Sequence, residues 1–148
     1  MNAMFQNLMI TLLGLIMIVV AIEPLAFGSK KKLTGADADA QKDMQPIQKV
    51  LEPLAAKTHG RALFNADDLS NVQQVHDDLL EMMDSYPKSQ VLTRPIYDAA
   101  QVFESRDMLD EATEFYTYIQ TNYPNSPYAS LSKTELDKLK KKMAASGK

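Results

Sequence analysis

Two histidines, no cysteine and a few clustered carboxylates bound the chemistry open to this 148-residue chain. His76-Asp77-Asp78 is the most tempting polar cluster, an imidazole beside two carboxylates of the kind that hold a metal ion. His76 and Asp77 fall off the apolar stripe Val72–Val75–Leu79, so the expected reading is a solvated helix face. His59 stands alone beside Gly60, and two histidines without a spaced carboxylate set make no zinc signature. Asp37-Ala38-Asp39 begins like a calcium loop but lacks its glycine and terminal glutamate. Without cysteine there is no disulfide, thiolate metal site, thiol nucleophile or lipid-modified thiol. Gly28 and Gly35 follow no strand, and no Gly-x-Ser-x-Gly elbow is present. The expectation is a protein that is not an enzyme, with no metal or cofactor.

The elements around these residues say more. The chain is 45% hydrophobic and carries a net charge of −3. Glu23 is the only charged side chain before Lys30, so the remainder is mixed in sign and close to neutral. That balance excludes the basic stripe expected of a nucleic-acid binder.

Residues 1–22 carry no charge, and Leu8–Ile22 is almost wholly Leu, Ile, Met and Val. As a helix, 22 residues reach roughly 33 Å, enough to cross a hydrocarbon core. Residues 1–28 are therefore expected to be a transmembrane signal-anchor, with the bilayer contacted through residues 1–22. Lys30, Lys31 and Lys32 follow immediately, which places the soluble part in the cytoplasm by the positive-inside rule. The alternative is a secretory signal cleaved after Ala26-Phe27-Gly28, leaving a periplasmic protein. Residues 29–43, poor in apolar side chains, are expected to form a flexible linker.

The part from residue 44 to 148 contains a repeat. Tyr86-Pro87-Lys88-Ser89 returns 37 residues later as Tyr123-Pro124-Asn125-Ser126. At the same offset Met82 matches Ile119, Leu79 matches Tyr116, Val75 matches Ala112 and Val72 matches Leu109. Each copy reads as a helix stopped by Tyr-Pro, because the residue before proline is pushed out of the α region. Ser70 with Gln73 suggests a capping box for the first copy, and Asp107 an N-cap for the second. Between them Ile96, Ala99, Ala100 and Phe103 make the apolar face of another helix, with Thr93 as its cap. Ser126 and Pro127 open a last helix carrying Leu131, Leu136, Leu139 and Met143 on one side. Ile47, Val50, Leu51 and Leu54 suggest a short or kinked helix, interrupted by Pro53, covering the open end. No segment reads as a strand, so the fold class is all-α, an antiparallel helical array.

Residues 93–124 resemble a tetratricopeptide repeat. Ile96, Ala99, Ala100 and Phe103 occupy its first-helix positions, and Ala112, Tyr116 and Ile119 those of its second helix, closed by Pro124. Residues 70–89 match as a partial repeat, and 126–143 as a capping helix. His59, Ala62, Leu63 and Ala66 fit the missing first helix poorly. The run Tyr-Pro-Asn-Ser-Pro-Tyr-Ala at 123–129 is similar to tetratricopeptide-like proteins of bacterial envelopes. The resemblance implies a groove lined by Arg94, Tyr97, Gln101 and Glu104. Phe115 and Tyr118 lie off the core stripe and are expected to form an aromatic docking patch. Lys140, Lys141 and Lys142, with Lys30–Lys32, are candidates for contact with anionic lipid headgroups. An array this short is expected to complete itself against another subunit, either a copy of itself or a larger membrane assembly.

Overall fold

Two prolines stand inside the first helix, yet the helix runs on through both. The computed structural model describes residues 35–60 and 63–147. Helix α1, Gly35–Gly60, contains Pro46 and Pro53. Each proline removes one backbone hydrogen bond and costs about 3 kcal/mol inside a helix. They lie seven residues apart on the exposed side, as do Lys42 and Lys49, whose carbonyls lose their helical donors. Opposite them Ala40, Met44, Ile47, Leu51 and Leu54 form a buried stripe at helical spacing. Burying that stripe offsets the backbone loss.

Two sequence expectations are corrected here. Residues 35–43 are the first turns of α1 rather than a flexible linker. Ala40 is small but fully buried. Asp37 accepts a hydrogen bond from the Ser89 hydroxyl at 2.7 Å, and Asp43 one from the Tyr86 hydroxyl at 2.6 Å. These contacts hold a segment whose composition alone could not. Nor does Pro53 interrupt the helix, and α1, not the stretch around His59 to Ala66, supplies the helix before α2. The side chain of His59 lies outside the described residues, as do Lys30–Lys32 and the proposed anchor at 1–28. No helix among the described residues is long and apolar enough to cross a membrane.

Helix α2, Ala66–Ser85, begins four residues before the expected Ser70. Its capping box is Asn65 with Asp68: Asp68 N–H donates to Asn65 Oδ1, and Asn65 N–H donates to Asp68 Oδ2, both at 2.8 Å. Val72, Val75, Leu79 and Met82 are buried, as their spacing predicts. A 3₁₀ turn, Gln90–Leu92, leads into α3, Thr93–Ser105. Thr93 does not cap α3; its hydroxyl donates back to the Gln90 carbonyl at 2.9 Å. Helix α3 buries Ile96, Ala99, Ala100 and Phe103, and also Val102 and most of Tyr97. It is the central element, packed against all four other helices.

Asp107 is not an N-cap. Its φ of 61° places it in the left-handed region. Its N–H donates to the Glu104 carbonyl at 3.1 Å, and the Met108 N–H donates to the Phe103 carbonyl at 3.0 Å. These paired bonds are a Schellman end to α3 built on aspartate where glycine is usual. Helix α4, Leu109–Asn122, follows at once. Helix α5, Pro127–Ser146, is capped by Ser126, whose hydroxyl accepts from the Tyr128 N–H at 3.3 Å. Leu136 and Leu139 are buried, but Leu131 is 47% exposed. Five residues separate Leu131 from Leu136, which rotates it off the stripe that Ser132, Leu136, Leu139 and Met143 share.

Cross-contacts fix the directions of the helices. The start of α1 meets the end of α2 through Asp43 and Tyr86, and its end meets the start of α2 through Lys57 and Asp68. The two are antiparallel. Helices α1 and α3 run parallel, joined by Asp37 to Ser89 at one end and Thr58 to Ser105 at the other. Tyr97 on Tyr128 aligns α3 with α5, and Tyr118 on the Met83 carbonyl aligns α2 with α4. The result is two layers, α1-α3-α5 and α2-α4, with the apolar core between them and no strand among the described residues. The two Tyr-Pro stops share one backbone geometry: Tyr86 has φ −132° and ψ 53°, and Tyr123 has φ −131° and ψ 52°.

Candidate functional site

A short helix with both long sides occupied has little free surface, and on α3 that surface is one strip. Arg94 is the most exposed of the four predicted groove residues, its side chain 75% accessible and 3.5 Å from Asp98. The pair is an i,i+4 arrangement that the helix itself supplies. Arg94 and Asp98 face α1 across a cleft of about 250 Å³, whose other lining includes Gln48, Glu52, Ala55 and Pro95. Its lining mixes apolar side chains, Leu51, Ala55 and Pro95, with the charges of Glu52, Arg94 and Asp98.

Tyr97 falls on the other side of the strip, toward α4 and α5, with Gln101 on its hydroxyl and Glu104 on Tyr116 of α4. Tyr97 is only 8% exposed, a packed residue more than a displayed one. Its ring centroid lies 5.6 Å from Tyr116 on α4 and 5.3 Å from Tyr128 on α5. Gln101 Nε2 donates to the Tyr97 hydroxyl at 3.5 Å, and the Tyr116 hydroxyl donates to Glu104 Oε2 at 3.4 Å. Burial pushes the Tyr97 and Tyr116 hydroxyls up from their ordinary value of 10, and the charges of Glu104 on α3 and Glu135 on α5 add to it. Both phenols thus stay neutral, with two carboxylates from different helices converging on them. Sequence reading missed Glu135 and Tyr128, although their spacing of seven on α5 puts both on the face toward α3.

The predicted aromatic patch does not form. Phe115 is fully buried, 5.0 Å from Phe103 and 5.6 Å from His76. Tyr118 is half-buried and donates from its hydroxyl to the Met83 carbonyl at 3.1 Å, tying α4 to α2. Both are structural because α2 lies beside α4, a neighbour that the pattern of α4 alone does not reveal. The same packing corrects the expectation for His76, whose imidazole is largely buried between Phe103 and Phe115. Only Asp77 is solvated, at 64% exposure, with Nδ1 of His76 at 3.0 Å. The hydrogen bond with His76, then that from Gln73, holds the Asp77 carboxyl below its ordinary range. Among the described residues no group of His, Asp or Glu side chains could hold a metal ion.

Of the predicted lipid-facing lysines, Lys140 and Lys141 are exposed on α5. Lys142 instead reaches Asp107 in the α3–α4 turn at 3.0 Å. Lys138 pairs with Glu135 one turn earlier at 2.9 Å. The chain matches no family model, no curated protein and no solved structure.

Proposed function

We propose that this chain is a single-pass, membrane-anchored helical adaptor of the tetratricopeptide-like kind, an accessory subunit of a larger membrane protein complex. The observation that carries the reading is the two-layer arrangement, with the outer strip of α3 left between its parallel neighbours α1 and α5. The recurring Tyr-Pro geometry supports reading α1-α2 and α3-α4 as two copies of one hairpin, closed by α5. Two hairpins make a shallow groove, so the partner is a protein surface that completes the array, foreign or a second copy. The uncharged residues 1–22 support the anchor, and Lys30–Lys32 support a cytoplasmic domain on the inner membrane. No residue is assigned a catalytic role.

The test is copurification from native membranes of the tagged full-length chain, unaltered and with Arg94→Ala, Gln101→Ala and Glu104→Gln combined. Tyr97 is left intact because its packing would confound the result. Recovery of partners should fall while the helical circular dichroism is unchanged. Full recovery would remove the α3 strip from the interface.

A further inference from the structure

We infer that α5 is exchanged between two copies of this chain, each copy's α5 seating on α4 and α3 of the other. The inference rests on the adaptor reading and names a second copy as the partner that completes the array.

Helix α5 has the smallest stake in its own fold. It packs mainly on α4 and less on α3. Among its described residues Leu136 and Leu139 are the buried apolar side chains of a 20-residue helix, with Tyr128, Ala129 and Met143 partly covered. Helix α3, in 13 residues, buries Ile96, Tyr97, Ala99, Ala100, Val102 and Phe103. Apolar burial sets the cost of local opening, so α5 opens more readily than the helices beneath it. One group inside the contact favours release. Ser132 is fully buried on the stripe of Leu136 and Leu139, and its hydroxyl has no hydrogen-bond partner among the described residues. The ion pair of Lys142 with Asp107 has side chains 50% and 65% exposed, so it holds α5 weakly.

The connection suits an exchange. Tyr123, Pro124, Asn125 and Ser126 are the whole link between α4 and α5, and short hinge links invite swapping. Pro124 and Pro127 bar the two helices from fusing into one, and they bias Tyr123 and Ser126 toward extended backbone. Ser126 already has it, at φ −74° and ψ 144°. The turn is closed by the Ser126 N–H, which donates to the Tyr123 carbonyl at 2.9 Å. Fully opened, four residues span about 14 Å, more than the roughly 8–10 Å between packed helices. An opened α5 therefore reaches the same seat on a copy alongside.

Complementarity selects the occupant. A foreign helix would have to match this stripe, its buried serine included; a second copy already does. The contact of Tyr128 with Tyr97 and that of Lys142 with Asp107 are remade between copies, so exchange sacrifices no packing.

The chain has no cysteine, so two introduced thiols report the arrangement. Arg106 adjoins Asp107, which Lys142 reaches at 3.0 Å, and both Arg106 and Lys142 are exposed. The full-length chain carrying Arg106→Cys and Lys142→Cys is treated in nonionic detergent with a short bis-maleimide, and the bridged peptides are identified by mass. The exchange predicts a bridge between copies, from position 106 of one to position 142 of the other. Three glycines inserted after Asn125 let α5 fold back on its own chain, and the bridge should then become internal. An internal bridge in the original hinge, no bridge, or an interchain bridge that persists with the glycines would overturn the inference. The last of these would mark mere proximity in a shared micelle. Foreign partners that copurify with an internally bridged chain would leave the adaptor standing and remove the exchange alone.

Discussion

The imidazole of His76 lies almost flat on the ring of Phe115, with centroids 5.6 Å apart and planes 11° from parallel. Phe103 meets both rings edge-on, so α2, α3 and α4 are pinned together at one point. Deleting a fully buried phenylalanine removes its transfer energy and leaves a cavity. Phe115→Ala should therefore lower unfolding stability by about 3–5 kcal/mol, a large share of what a small domain has. His76→Ala should cost less, about 1 kcal/mol for the lost ring contacts. Urea unfolding followed by circular dichroism checks both. A Phe115→Ala chain as stable as the original, but unable to hold its partner, would restore the docking role for this residue.

The start of α2 depends on Asn65. Its side chain satisfies the Asp68 N–H at 2.8 Å, and the first turn has no other cap of this kind. Asn65→Ala should cost about 1 kcal/mol and lower Tm by about 4 °C or more. A melting curve unchanged within error would mean that the helix begins elsewhere.

Acid sensitivity should centre on Asp68. The hydrogen bond from Lys57 is the largest influence holding its carboxyl below the ordinary value of 3.8, and the Asn65 N–H adds to it. A carboxyl depressed in the folded chain stabilises it above that ordinary value and ceases to do so as pH falls through the folded value. The stability gap between the original chain and Asp68→Asn should be widest near neutrality and shrink as pH drops below 3.8. A gap that does not change with pH would show the pair to be electrostatically idle.

Tyrosine ionisation should limit the fold at the alkaline end. Burial raises the hydroxyls of Tyr116 and Tyr123 well above 10. The unfolded chain releases these protons more readily, so stability is full below pH 10 and declines as pH rises beyond it. Tyrosinate absorbance should show these two groups ionising only together with loss of helical signal. Their ionisation in the still-helical chain would contradict their burial.

Periodicity made the interior of α2, α3 and α4 legible: Val72, Val75, Leu79, Ile96, Phe103, Ala112 and Ile119 are buried where helical spacing puts them. Features that depend on a neighbour were not. Phe115 and His76 looked outward because each helix was read alone, and the contact between α2 and α4 turns both inward. At the start of α1, composition does not register hydroxyl donors arriving from Tyr86 and Ser89, 43 and 52 residues away. Asp107 resembled an N-cap because aspartate serves both as a cap and in the left-handed region, and only backbone angles separate the two. For the strip on α3, the expected residues divide: Arg94 lies toward α1, Tyr97 packs on α4 and α5, and Glu104 meets Tyr116 of α4.

The anchored-adaptor account is tested most directly by extracting the C-terminally tagged chain from native membranes in mild detergent, then measuring its intact mass and identifying what accompanies it. The account predicts an unprocessed chain, 16.5 kDa plus the mass of the tag, extracted only by detergent and held in a larger assembly. A chain beginning at Ser29, released without detergent and recovered alone, would contradict it.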